Sequence, residues 1–263
     1  LHRRRHSFPT RRSSDLPKGN IYVAGSTYDT LPGQESPGED DAFIRKYDPN
    51  GKELWTRQFG ADGNDVAYSV VTDIQGNTYV TGYTVGVLPG QKSFGAVDAF
   101  VKKYDPNGKE LWTRQFGTRD VDSAGSVAAD AQGNIYVAGH VRGHRALPGQ
   151  KSFGKLDAFI RKYDANGNEL WTDQFGAGNP TSAYAVVLDT KGNVYVAGSA
   201  EGGLPSQKSF GEGGAFIRKY DPNGKEVWTR QFGTDGTDYA YSVALDTNGN
   251  IYVAGYADKT LPS

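Results

Sequence analysis

Oxygen-bearing side chains crowd two short connectors of this chain. "ADGNDV" carries Asp62, Asn64 and Asp65, and "TDGTDY" carries Asp235 and Asp238. Carboxylate and amide oxygens at near-alternating positions suit a hard cation such as Ca²⁺, although the EF-hand pattern is absent. The same residue types also form tight turns, and the matching connector "AGNPTS" has no carboxylate. His140 and His144 stand four apart, a spacing that suits a metal pair, yet they fall in one loop-like stretch with no cysteine to join them. A third set recurs in "QKSFG": Lys92 with Phe94, Lys151 with Phe153, and Lys208 with Phe210. These are candidate ligand contacts, or else the Phe plugs a gap between loops. The first copy reads "ESPGE" (Glu35 to Glu39) at this place, so the fold does not demand the pair.

Catalytic sets are harder to find. The four histidines are His2, His6, His140 and His144, and they build no Ser-His-Asp arrangement. A paired-carboxylate glycosidase stays open because acidic residues are plentiful. Most of them repeat with a fixed period, however, and an active site is normally a single break in symmetry. Two breaks are visible. Asp173 stands where Arg57, Arg114 and Arg230 stand elsewhere, and Gly214 replaces Asp41, Asp98 and Asp157. The expectation is a chain that is not an enzyme and needs no cofactor, with Ca²⁺ as the one ion to consider.

The elements that hold these residues are read from the repeat. "GN-x-YV-[AT]-G" starts at Gly19, Gly76, Gly133, Gly192 and Gly249, at spacings of 57, 57, 59 and 57 residues. The two extra residues lie in "HVRGHRALPGQ", which marks a surface loop. In one unit, alternating apolar residues predict strands at 67–73, 78–84, 98–105 and 110–117, with no helical period anywhere. Ala67, Ser69 and Val71 form a small-residue face of the first strand, as do Ala240, Ser242 and Ala244 in the last copy. "DPNGK" at Asp48, Asp105 and Asp221 closes strands three and four with a type I turn, Gly taking the left-handed position. All four tryptophans, Trp55, Trp112, Trp171 and Trp228, occupy one place in strand four. A ring repeated at one place in every unit suits packing between neighbouring sheets; an exposed platform for sugars is the alternative.

Four-stranded units covered on both faces point to an all-β fold, the blades of a β-propeller. "GNIYVAG", "DAFIRKYDPNG" and "WTRQFG" resemble the SBBP β-propeller repeat family, over nearly everything from Lys18 to Ser263. The resemblance implies a secreted or cell-surface bacterial protein, with blades grouped in larger rings and no catalytic residues to carry over. A weaker similarity is to quinoprotein-type propellers, where the pattern of Asp48, Gly51-Lys52-Glu53 and Trp55 would dock neighbouring blades.

The blades are expected at 19–60 (partial), 61–117, 118–176, 177–233 and 234–263 (partial). That is about 4.3 units of roughly 57 residues, an open arc of a larger ring. A strained four-bladed closure, the last strand one completing the first blade, is the alternative. "HSFPTRRSSDL" resembles the in-frame translation of a sequencing adapter, so residues 1–16 are expected to be a non-native leader and the chain a fragment cut at both ends. With 29 basic and 30 acidic residues and a mean hydropathy of -0.61, no nucleic acid partner and no membrane insertion are expected. The long loops between strands two and three share a rim with the Asp-rich connectors. That rim is where a protein or glycan ligand would sit, on an interaction scaffold completed by the parent chain's remaining blades. Two other readings remain open: a lectin-like propeller, and part of a propeller hydrolase or quinoprotein-like enzyme.

Overall fold

The computed structural model describes residues 19–260, and these contain strands and turns only. The leader expected at residues 1–16 lies outside the described residues. The strands form five antiparallel sheets in chain order. The first holds β1 (Ile21–Thr27), β2 (Asp41–Tyr47) and β3 (Glu53–Phe59). The second holds β4 (Asp65–Thr72), β5 (Thr78–Thr84), β6 (Asp98–Tyr104) and β7 (Glu110–Phe116). The third holds β8 (Asp122–Ala129), β9 (Ile135–Arg142), β10 (Leu156–Tyr163) and β11 (Glu169–Phe175). β12 (Thr181–Leu188), β13 (Val194–Ala200), β14 (Gly214–Tyr220) and β15 (Glu226–Phe232) make the fourth. β16 (Asp238–Leu245) and β17 (Ile251–Ala257) make the fifth.

Local chemistry accounts for the hairpins. Asp48 Oδ1 accepts from the backbone N–H of Asn50 and Lys52 at 2.8 and 2.9 Å, while Gly51 takes φ +82 to close the turn. One sequence expectation is corrected. Strand one begins at Asp65, and its register slips between Ala67 and Ser69, so Tyr68 is bulged. The extra residue inverts the alternation beyond it. Ala67 therefore shares the core with Val70, not with Ser69 and Val71, and in the last copy Ala240 shares it with Val243.

Four apolar cores result, each joining one sheet to the next. Three of them share an edge-on phenylalanine pair: Phe59 on Phe100 at 5.5 Å, Phe116 on Phe159 at 5.7 Å and Phe175 on Phe216 at 5.6 Å. None of the four cores joins the fifth sheet to the first. β16 pairs with β17 and not with β1, so the four-bladed closure does not form among the described residues.

Candidate functional site

Parallel bridges tie Asp40 to Asn64, Val97 to Val121 and Gly213 to Thr237. They bring the ends of the first, second and fourth long loops against the connector into the next sheet, and so define one rim. A strand-four glutamine builds each loop. Gln115 accepts from Leu88 N at 2.9 Å, donates through Nε2 to Gly86 O at 2.8 Å and Asp98 Oδ2 at 2.7 Å, and takes Gln91 Oε1 on its own N–H. Phe94 N also donates to Asp98, and Leu88 is fully buried beneath the loop. Gln174 and Gln231 repeat this frame with Leu147 and Leu204.

The frame presents its lysine and phenylalanine outward. Phe94 is 43% and Phe153 44% exposed, beside exposed Lys92 and Lys151. Lys208 Nζ lies 5.7 Å from the ring of Phe210, which is half-buried. The expectation of a Phe plugging a gap thus fits Phe210 better than the other two. The first loop shows what the pair is not for: Leu31, Gln34, Gln58 and Asp41 make the same hydrogen-bond frame with neither Lys nor Phe present. A loop that folds without these side chains leaves them free for contact.

The connectors divide the expected calcium residues. Asp62 is exposed and Asn64 half-buried, whereas Asp65 is fully buried and accepts from Ala61 N at 2.7 Å. Asp235 is exposed and pairs with Lys259 at 3.0 Å, while buried Asp238 accepts from Thr234 N at 2.7 Å. Among the described residues no three His, Cys, Asp or Glu side chains group as a metal site. Asp65 faces a different acid: a methyl group placed on Gly60 would lie 2.5 Å from Asp65 Oδ2 and 2.7 Å from Asp41 Oδ1. Gly117 sits likewise between Asp122 and Asp98, at 2.5 and 2.8 Å. Burial, with the neighbouring aspartate adding, pushes Asp65 up to about 6 and Asp122 up to about 7.

These carboxyl pairs escaped sequence reasoning because their members lie 24 residues apart in adjoining sheets. The signal was periodic aspartate at the first residue of strands one and three, broken at Thr181 and Gly214. His140 also departs from expectation, since it belongs to β9 and not to a loop; burial lowers its imidazole to about 4. His144 follows in the loop at φ 55.

Trp55, Trp112 and Trp171 meet the next sheet's turn. Trp55 Nε1 donates to Pro106 O and Trp112 Nε1 to Ala165 O, both at 3.1 Å. Trp171 Nε1 is buried without an acceptor, although its ring stacks on Tyr220. Trp228 packs edge-on against Tyr195 of its own sheet. Beside Trp171, Asp173 accepts from the Tyr220 hydroxyl at 2.7 Å, and a cleft of 220 Å³ opens between the third and fourth sheets.

Four segments, residues 54–89, 111–140, 170–205 and 227–261, match a β-propeller repeat family, SBBP. The regulatory protein FlaEY of Caulobacter vibrioides is 32% identical over 193 residues, covering 68% of this chain and 20% of that protein. An uncharacterized WD repeat-containing protein of Acanthamoeba polyphaga mimivirus is 28% identical over 183 residues, covering 56% of this chain and 13% of its own. The chain therefore spans a fifth or less of the curated relatives it matches. A crystal structure of a protein of unknown function from Bacteroides caccae superposes with a TM-score of 0.51 at 17% identity, over 89% of this chain and 64% of that one. That likeness is one of fold alone.

Proposed function

The chain belongs to the SBBP β-propeller repeat family, and we propose that it is a non-catalytic interaction module whose long-loop rim holds a protein or glycan ligand. One observation carries the reading: the loop frame forms in the first unit without Lys or Phe, yet three later units add both, and two of them turn the ring outward, at Phe94 and Phe153. Exposed aromatic side chains on a hydrogen-bonded frame cost little ordering entropy on contact. Their recurrence from unit to unit favours a repetitive or extended ligand gripped at several weak, equivalent points. The relative from Caulobacter vibrioides is named a regulatory protein. On this reading the parent protein works at the cell surface or outside it, and Ca²⁺ on the connectors is at most an accessory to binding.

A screen of the full chain against glycan and protein arrays tests the proposal. Ligands captured by the parent chain should be lost on the double change Phe94→Ala and Phe153→Ala, with an unchanged melting temperature. Capture that survives both changes would place the contact elsewhere, and sustained substrate turnover would end the non-catalytic reading.

A further inference from the structure

Strand four carries arginine at this position in every copy except the third, where it is Asp173. Where the next sheet supplies a turn, that arginine has a defined seat. Arg57 places its guanidinium 5.8 Å from the Trp55 ring and donates from Nε to Gly108 O at 2.7 Å. Arg114 does the same over Trp112, at 5.5 Å, with Gly167 O at 2.8 Å. In both cases Nη2 also reaches the preceding asparagine carbonyl, of Asn107 or Asn166. An indole face and two backbone carbonyls thus make the seat, and the arginine only fills it.

The third unit keeps the walls and changes the occupant. Its neighbour supplies the same turn, "DPNGK" from Asp221, and a methyl group on Gly224 would lie 2.6 Å from the Trp171 ring, as Gly108 and Gly167 crowd Trp55 and Trp112. The cleft runs from Gly224 past Asp173 and Glu226 to the rings of Phe153 and Phe175. One buried guanidinium, Arg218, lies 3.6 Å from both Asp173 and Glu226. Two carboxylates facing one cation leave the cleft a negative charge in excess. Phe153 belongs to the rim loop, so the cleft opens beside the surface assigned above to ligand contact.

We propose that this cleft receives the guanidinium of an arginine side chain from a partner polypeptide, seated on the carbonyls of Asn223 and Gly224 beside Trp171, with Asp173 as counter-ion. A planar fork can bond two carbonyls and lie against an indole at once; an ammonium, a point charge on a flexible stem, does this less well. That the arginine arrives on a partner rests on the interaction-module reading, whereas the guanidinium seat can be tested without any partner.

The probe is N-acetyl-arginine amide, titrated into the full chain with ¹⁵N-labelled indoles. The Trp171 indole signal should shift saturably, with the citrulline and lysine analogues at least tenfold weaker. Asp173→Arg, which restores the residue of the other three units, should abolish the shift and leave the melting temperature unchanged or raised. Arg114→Asp should create a second response, at Trp112. An unmoved Trp171 signal, equal binding of citrulline, or binding that survives Asp173→Arg would overturn the proposal. Failure of the arginine probe while array ligands still depend on Phe94 and Phe153 would sink only the guanidinium seat. Arginine binding without any array ligand would sink only the module reading.

Discussion

Two junctions of this molecule use the same parts and end differently. Between the second and third sheets Trp112 donates to Ala165 O, Arg114 lies over the indole, and Asp98 and Asp122 face each other across Gly117. Between the third and fourth sheets the Trp171 N–H has no acceptor, Asp173 replaces the arginine, and Thr181 takes the place of the second aspartate. Both junctions nevertheless close on the same edge-on phenylalanine pair, at 5.7 and 5.6 Å. Adhesion between sheets therefore resides in the apolar core. The polar groups at its margin can change without parting the sheets, and at the third junction that freedom coincides with a cleft.

The two junctions should respond differently to substitution. The largest expected effect is at the regular junction: Trp112→Ala should cost about 3–5 kcal/mol in urea unfolding. Trp171→Ala should cost about 1 kcal/mol less, because no indole hydrogen bond is lost there. Equal losses would mean that the two junctions do not differ in this bond.

Next comes pH. Asp122 is raised from 3.8 to about 7 and Asp65 to about 6, so the folded state binds more protons than the unfolded chain. Stability from these groups is full below pH 4 and is lost as pH rises from there through about 6 for Asp65 and about 7 for Asp122, by an amount on the order of 2–4 kcal/mol for each group. Asp122→Asn should shallow the loss between about pH 4 and 6 and abolish it between about 6 and 7, leaving the Asp65 part. A pH–stability curve identical to that of the parent would refute the buried pair. Thr181→Asp should extend the same dependence to the third junction.

Arg114→Asp should cost only about 1 kcal/mol, the cation–π contact and its charged hydrogen bonds being half-exposed. A much larger cost would show that the arginine holds the sheets together. The smallest effect is expected at the rim. Phe94→Ala should move stability by less than about 0.5 kcal/mol, since nothing packs on more than part of the ring. A loss above 1 kcal/mol would return Phe94 to a structural role.

Much of this was legible residue by residue. The turn at Asp48 to Gly51 reads directly, because the Asp side chain and the left-handed Gly act within five residues. The strand that follows Gly76 also reads correctly, its side chains alternating with no interruption. The bulge at Tyr68 could not be read, because an inserted residue is chemically unremarkable and is defined only by its partner strand. The carboxyl pair of Asp41 and Asp65 was equally hidden, as was the cleft at Asp173. Each arises where one sheet's edge meets another's.

The pentapeptide "IYVAG" makes the division plain, since it occurs at Ile21, Ile135 and Ile251 and forms strand two each time. In the third sheet it is buried along its whole length, with Tyr136 1% exposed, whereas Tyr252 in the fifth sheet is 58% exposed. Strand and turn depend on residues a few positions apart, and the amino-acid sequence alone determined them. Burial, and with it the raised carboxyls and the opened seat, belongs to surfaces of neighbouring sheets, so only the tertiary structure could decide which copy of a shared motif would be silent and which would be exposed for contact.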